Sequence, residues 1–351
     1  MVDAKLRAGV LGASGYTGAD IVRLGVCHPN IEFSVLTANT HAGKPIASVF
    51  PHFHGLDLPD LTTVEEADWK DVDVVFCGLP HGTTQDITQG VLEAYPHVRF
   101  VDMSADYRLR DPQTYEQWYG RAHTGMALQG EAVYGLTEHY RQEISNARLV
   151  ACPGCYPTAA LLALLPLLKV GAISAERITI DAKSGVTGAG RSLKEANLFA
   201  ESGEGLSPYG VGSHRHMPEI EQELSVAAGS DVTISFTPHL IPMSRGEFLT
   251  IYAELGAGRS IADLRAALER TYDDEPFVHV LPEGVLPKTQ MVRGSNRCMI
   301  NVAEDRVPGR AIILATIDNL VKGSSGQAIQ NMNVMFGLPE TTGLEQIALF
   351  P

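Results

Sequence analysis

The chain has 351 residues, with 27 lysines and arginines against 41 aspartates and glutamates and a formal net charge of −14 at pH 7. That length exceeds what one hydrophobic core usually organises, so two domains are expected. The acidic balance excludes the basic face that nucleic acid or an anionic membrane surface demands, and five cysteines are too few and odd in number for a secreted disulfide framework. A reducing, cytoplasmic setting is expected, because "MVDAKLRAGVLGASG" shows no sustained apolar signal core.

From the N-terminus, "LRAGVLGA" reads as a short apolar strand, "GADIVRLGVCH" as a helix, and "IEFSVLTA", "VDVVFCGLP" and "VRFVDMS" as further strands. Strands apolar on both faces, alternating with helical stretches, describe a parallel sheet covered on each side. Residues 1–150 are therefore expected to form a Rossmann-like, doubly wound α/β domain. "GASGYTG" places Gly12, Gly15 and Gly18 directly after the first strand. Glycines there permit a tight turn and close approach to a pyrophosphate, whose charge meets the amides of a helix N-terminus. About 20 residues on, where an acid usually holds the ribose of NAD, this chain has none. Thr37, Asn39, Thr40 and Lys44 could instead face a 2′-phosphate, which favours NADP(H).

"ACPGCYPTAALLALLPLL" then places Cys152 and Cys155 ahead of a long apolar run. Interrupted by Pro166 and Lys169, that run falls short of the roughly 20 residues of a membrane span. A structural zinc needs a second close pair of ligands, absent here, so no metal is expected. A redox dithiol stays open as the lesser reading, since that motif belongs near the start of a small domain. The third reading is one nucleophilic thiolate. Pro157 is expected to be the first helical residue, which sets Cys155 just ahead of a helix N-terminus, at a domain junction facing a nicotinamide cleft. A thiolate beside a nicotinamide attacks an activated acyl group and forms a thioester that hydride reduces to an aldehyde.

The rest of the chain should supply an acid/base and an anion pocket. "DAKSGVTGAGRS" offers Lys183, Ser184 and an amide nest at Gly185, Gly188 and Gly190, and "GSHRHMPEIEQEL" offers His214 and His216 before a helix that Pro218 could open. The strands "ERITIDAKSG", "VTISFTPHL", "EFLTIYAEL", "FVHVL", "CMINVAED" and "RAIILATIDNL" alternate with the helical patterns "RSLKEANLFAE", "MPEIEQELSVAA" and "IADLRAALERTY". Residues 151–322 are expected to form an α+β substrate and dimerisation domain with a mostly antiparallel sheet, making a homo-oligomer, dimer or tetramer. The segment 323–351 is expected to return to the first domain.

Taken in order, "GASGYTG", "GLPHG", "SADYRL", "YGLTE", "PGCYPTAA", "KSGVTGAGR", "HRHMPEIEQ", "TPHLIPMSRG" and "KGSSGQAIQNMN" resemble the N-acetyl-γ-glutamyl-phosphate reductase family of arginine biosynthesis along almost the whole chain. The resemblance implies NADPH-dependent reduction of N-acetyl-γ-glutamyl phosphate to the semialdehyde with release of phosphate. It makes Cys155 the nucleophile and His216, or else His214, the acid/base. Arg108 is then a substrate-anion contact, and Lys183, Ser184, Gly185 and Gly188 line the substrate or phosphate pocket. Gly12, Ala13, Ser14, Gly15, Tyr16, Thr17, Gly18, Pro80, Gln327 and Asn331 become cofactor contacts. Related chemistry on aspartyl or N-acetyl-aminoadipyl phosphate, and a non-catalytic NADP-sensing protein, are the alternatives. Two positions depart from the family: Ala38-Asn39 stands where it often has Ser-Arg, and Cys152 where it often has Asn. Oxidation joining Cys152 to Cys155 is a further expectation.

Overall fold

The computed structural model describes residues 5–351, and the chain divides into two compact units: Met1–Pro153 with Ser324–Glu345, and Gly154–Gly323 with Gln346–Pro351. The expected return of 323–351 to the first unit thus extends to Glu345. The last six residues group with the second unit, where the Leu349 amide donates to the Arg293 carbonyl at 2.9 Å.

The first unit carries strands β1 (Leu6–Leu11), β2 (Ile31–Thr37), β3 (Leu61–Thr62), β4 (Val74–Cys77), β5 (Arg99–Asp102), β6 (Val133–Tyr134) and β7 (Leu149–Ala151). They form one sheet in the order β3-β2-β1-β4-β5-β7-β6, every neighbouring pair parallel. The helices are α1 (Tyr16–Gly25), α2 (Thr84–Ala94), α3 (Pro112–Tyr119), α4 (Met126–Gln129) and α5 (Thr137–Asn146). The inner strands are apolar on both sides because helices cover both: β4 reads Val-Val-Phe-Cys and is buried throughout. The strand order reverses between β1 and β4, the crevice where open parallel sheets take their ligands.

In the second unit, α6 (Cys155–Lys169) precedes β8 (Thr179–Gly185), the single turn α7 (Phe199–Ser202), β9 (Ser207–Pro208) and α8 (Met217–Ala228). Next come β10 (Ser235–Ile241), β11 (Glu247–Glu254), α9 (Ile261–Tyr272), β12 (Val278–Val280), β13 (Cys298–Glu304) and β14 (Arg310–Ile317). The sheet runs β12-β13-β14-β11-β8-β10-β9. It is mixed: four neighbouring pairs are antiparallel, as expected of most of the sheet, whereas β10 lies parallel to β8 and β12 parallel to β13. The connection from β8 to β10 contains the full-length helix α8, and a helical crossover returns the chain in the same direction.

Two local expectations also change. Residues 191–201 form a 3-10 turn and the short α7 rather than one helix, with Leu193 and Phe199 exposed by 102% and 85%. With no apolar face buried, tertiary packing does not sustain a longer helix. Helix α6 begins at Cys155 and continues through Pro166, with Pro157 in its first turn, where a missing N–H costs nothing. No helix of the described residues is long and apolar enough to cross a membrane. After β14, α10 (Gly326–Met335) belongs to the first unit and packs on α1, α5 and β5.

Candidate active site

In the first unit, Gly12 leaves β1 at φ +81°, a left-handed conformation that glycine adopts without strain. Its amide donates to Thr37 Oγ1 at 3.1 Å and that of Ala13 to the Thr37 carbonyl at 2.9 Å. Thr37 thus faces inward and fastens the turn through its hydroxyl oxygen and carbonyl. A Cβ on Gly18 would lie 2.4 Å from the Gly12 carbonyl oxygen, so helix and turn touch only because that side chain is absent. Ser14, Gly15, Tyr16 and Thr17 are half-buried around the helix start. Gly15 caps α1 without a side-chain hydrogen bond, and no acid lies in the first turn. This cradle, with first-turn amides lacking intrahelical acceptors, fits a dinucleotide pyrophosphate.

Asn39 and Thr40 are exposed on a 3-10 turn following β2, and Pro80 is exposed after β4. Gln327 and Asn331 are fully buried on α10. Asn331 Nδ2 donates to the Gly135 carbonyl at 2.9 Å and to Cys152 Sγ at 3.4 Å, and its Oδ1 accepts from Thr137 Oγ1 at 2.7 Å. Both ends of this amide are used in fastening α10. Gln327 Nε2 donates to the Gly135 carbonyl and Thr137 Oγ1, whereas its Oε1 has no partner among the described residues. An orphaned buried acceptor of this kind fits a carboxamide N–H of a nicotinamide.

Arg108 turns inward: its Nε donates to the Cys152 carbonyl at 2.7 Å and Nη2 to the Met103 carbonyl at 2.9 Å, with 7% of the residue exposed. In the structure it ties the ends of β5 and β7 together. Asp106 organises the neighbouring loop, accepting from the amides of Gly82 and Thr84 and from the hydroxyls of Thr84 and Tyr115.

In the second unit, Cys155 is the first residue of α6, half-buried, with Gly154 as a cap that makes no side-chain hydrogen bond. The first-turn amides and helix dipole there favour a thiolate. Cys152, by contrast, is fully buried. Three segments converge on Cys155. A Cβ on Gly154 would lie 2.5 Å from His216 Nε2, so the imidazole rests directly on the helix cap. A Cβ on Gly323 would lie 2.7 Å from Cys155 Cβ, so the turn after β14 also presses on the cysteine. Glu219, in the first turn of α8 and 1% exposed, accepts from the Gly154 amide at 2.8 Å. Glu247, at the start of β11 and fully buried, pairs across the sheet with Ile317, which lies against the same Gly323 that presses on Cys155. Burial first, and the Asp318 charge in addition, push its carboxyl up to about 8, while the neighbouring Cys155 thiol opposes them.

The two histidines separate in character. His214 packs among Tyr156, Tyr209 and Phe236, and its Nδ1 accepts from the His216 amide at 3.2 Å. Burial, reinforced by Arg215, holds its imidazole down to about 4, so it is neutral near pH 7. His216 is half-buried at the cap of α8.

The anion nest does not form as expected. The amides of Gly185, Val186 and Thr187 donate to the carbonyls of Gly246, Met243 and Ser244, and that of Gly190 to Thr187. Lys183 lies on the half-exposed row of β8 with its ammonium 2.6 Å from Asp181, whereas Ser184 occupies the buried row opposite Glu247. Gly188 sits over Ser184 Oγ, which a Cβ there would approach to 3.1 Å. Arg245, in the turn before β11, lies 3.6 Å from Asp318.

A parallel sheet with a glycine turn, together with a half-buried cysteine at a helix start on a mixed sheet, defines a nucleotide-dependent dehydrogenase class, and the family models agree. The chain matches the NAD-binding domain of semialdehyde dehydrogenases over residues 7–147 and their dimerisation domain over 155–319. Solved structures show the same fold. Aspartate semialdehyde dehydrogenase II from Vibrio cholerae has a TM-score of 0.72 at 15% identity, covering 95% of this chain and 99% of that one. The Candida albicans enzyme, solved with NADP, has a TM-score of 0.67 at 18% identity, covering 95% and 99%.

Within that class the chain belongs to the N-acetyl-γ-glutamyl-phosphate reductase family. It is 57% identical over 350 residues to the reductase of Rhodospirillum rubrum, covering 99% of each chain. It is also 57% identical over 346 residues to the Arabidopsis thaliana protein named "Probable N-acetyl-gamma-glutamyl-phosphate reductase, chloroplastic", covering 99% of this chain and 86% of that one.

Proposed function

We propose that the protein reduces N-acetyl-γ-glutamyl phosphate to N-acetylglutamate 5-semialdehyde, releasing phosphate, through a thioester on Cys155. The observation that carries this reading is a half-buried cysteine at the first position of α6, with His216 resting on its cap. Family membership supplies the substrate and the place in arginine biosynthesis. The turn from Gly12 to Gly18 holds the pyrophosphate, and Gln327 Oε1 accepts from the nicotinamide carboxamide. NADPH, when bound, supplies the hydride that reduces the thioester.

The chain's own residues do the rest. The Cys155 thiolate attacks the acyl carbon, and the bond from that carbon to the phosphate oxygen breaks. His216 serves as the acid/base at the leaving phosphate and the carbonyl oxygen. His214 keeps it in place through the hydrogen bond from its backbone amide. Ser184 and Arg245 supply polar contacts for the substrate anions, a role Lys183 and Arg108 have exchanged for internal partners. Phe248, Tyr252, Ile312 and Leu314 form a half-exposed apolar patch on a sheet face that also carries Thr250 and the Lys183–Asp181 pair, and with the match to a dimerisation domain this supports a homo-oligomer formed through that face. With none of the five cysteines in a disulfide, a reducing compartment suits the protein.

The test is phosphate-dependent oxidation of N-acetylglutamate semialdehyde, with the aspartyl and N-acetyl-aminoadipyl aldehydes as competitors. Cys155→Ala should abolish turnover while NADP(H) still binds, and kcat/KM should be highest for N-acetylglutamate semialdehyde. A wild-type rate from Cys155→Ala overturns the mechanism.

A further inference from the structure

Glu247 interrupts a row that is otherwise apolar. On β11 it shares the buried side with Leu249, Ile251 and Ala253, and its neighbours across the sheet are Ser184 on β8 and Ile317 on β14. Its carbonyl accepts from Thr316 Oγ1 at 2.7 Å, which fixes the strand end. Neither carboxyl oxygen has a hydrogen-bond partner among the described residues. Cys155 is their neighbour: Gly323, where a Cβ would lie 2.7 Å from Cys155 Cβ, would also meet Ile317, the residue paired with Glu247 across the sheet, at 3.2 Å. A buried carboxyl without conventional donors is a costly way to fill space. An apolar residue would satisfy the packing of this row.

We propose that Glu247 is a catalytic residue that shares one proton with Cys155, accepting it as the sulfur becomes nucleophilic and holding it while the thioester exists. The S–H bond breaks and an O–H bond forms on Glu247. The electron pair left on sulfur forms the S–C bond as the carbon–oxygen bond to phosphate breaks, and phosphate carries away the negative charge. When the reduced carbon later expels sulfur as the aldehyde forms, the returning thiolate again faces a carboxyl that holds the shared proton.

The surroundings match this division of labour. An exposed carboxylate is too weak a base for a thiol of pKa about 8.5, but burial brings Glu247 up to about 8, close enough for exchange. Cys155 is the less buried partner and lies at the helix dipole, so the pair's single charge is better held on sulfur. Asp318 faces the same carboxyl and opposes a second negative charge there. Its own oxygens accept from the amides of Gly294, Leu320 and Val321, with Arg245 at 3.6 Å. Tyr156 and Tyr209, hydrogen-bonded to each other at 2.9 Å, are pushed upward by burial and stay neutral. His216 is thereby left to act on phosphate and the carbonyl oxygen.

The inference rests on Cys155 being the nucleophile, so the experiment separates the two claims. Iodoacetamide alkylation of Cys155 is followed by peptide mass spectrometry from pH 5 to 10 in full-length wild type, Glu247→Gln and Glu247→Asp. Turnover is measured in parallel, with Cys155→Ala as control and thermal melting as the check on folding. Glu247→Gln should alkylate at least tenfold more slowly at pH 7, with its midpoint moved to higher pH. Its kcat should fall in proportion while KM holds, and Glu247→Asp should recover part of both. Should Glu247→Gln not fold, the aspartate variant carries the test: a slowed, upward-shifted profile supports the proposal and a wild-type profile overturns it. A wild-type profile and kcat in Glu247→Gln, with Cys155→Ala inactive, make Glu247 a spectator. Activity in Cys155→Ala would instead sink the nucleophile itself.

Discussion

Helices α1 and α6 start alike and are surrounded differently. Each is capped by a glycine in extended conformation, Gly15 and Gly154, which has no side chain of its own to accept from the first-turn amides. The first turn of α1 carries no acid, and the glycine turn leaves its amides beside a backbone cradle. At α6 the protein supplies its own acids: Glu219 on the Gly154 amide and Glu247 beside Cys155. The same backbone device therefore suits an incoming phosphate in one unit and a resident thiolate in the other. What separates them is the set of side chains brought to the helix end, because the dipole alone contributes only about 1 kcal/mol.

Substituting the glycines that press on each start should break the comparison most sharply. In Gly18→Ala the new Cβ meets the Gly12 carbonyl oxygen at 2.4 Å and Ala13 Cα at 2.8 Å, both backbone atoms that cannot rotate away. We expect about 1–3 kcal/mol of destabilisation and a loss of NADPH binding, read by fluorescence titration, with Cys155 alkylation unchanged. In Gly323→Ala the Cβ meets Cys155 Cβ at 2.7 Å and Cα at 3.1 Å. Moving the proposed nucleophile by even part of an ångström should lower kcat about 100-fold or more, with NADPH binding intact. Identical defects from both variants would mean that the two helix starts do not act separately.

The pH dependence of stability should sharpen the contrast, since the groups near α6 titrate in opposite senses. His214 has an unfolded value of 6.5 and a folded value of about 4, so the unfolded chain binds more protons between them. Its contribution is lost as pH falls through that window, by about 3 kcal/mol at most. Glu247 has an ordinary value of 4.5 and a folded value of about 8. The folded state then binds more protons, and stability is lost as pH rises from 4.5 through 8, by up to about 5 kcal/mol. Urea unfolding from pH 4 to 9 should therefore show His214→Asn flattening the acid limb and Glu247→Gln the alkaline one. Parallel curves for wild type and both variants would refute these assignments.

The same contrast explains what could be read from the sequence. "GASGYTG" is contiguous, and a backbone site needs little beyond its glycines and the preceding strand. The placing of Cys155 at a helix start was legible because that is also a local feature, although Pro157 pointed two residues beyond the true first position. Glu247 left a weaker signal. The alternation of "EFLTIYAE" puts it in register with Leu249, Ile251 and Ala253, but an acid at a strand end ordinarily reads as solvated. Its burial depends on α6 and the turn after β14, which sequence spacing does not place there. Thr37, Arg108 and the Gly185 amide each carry an internal hydrogen bond that no local pattern revealed. The parallel pairing of β8 with β10 was available in principle from the helical pattern between them.

The smallest effect is expected at Lys183, adjacent in sequence to the cysteine's surroundings but on the other row of β8. Its ammonium contacts Asp181 at 2.6 Å, and His239 Nδ1 lies 3.3 Å from the same carboxylate. Both sides of the lysine pair are partly exposed, so solvent screening limits its worth to roughly 0–1 kcal/mol. Lys183→Met should accordingly shift the urea midpoint only slightly and leave the KM for phosphate within about twofold, since strand alternation turns residue 183 away from the Ser184 row. A tenfold rise in that KM would show that Lys183 leaves Asp181 to bind anion during turnover. The half-exposed row of the sheet would then belong to the reacting side.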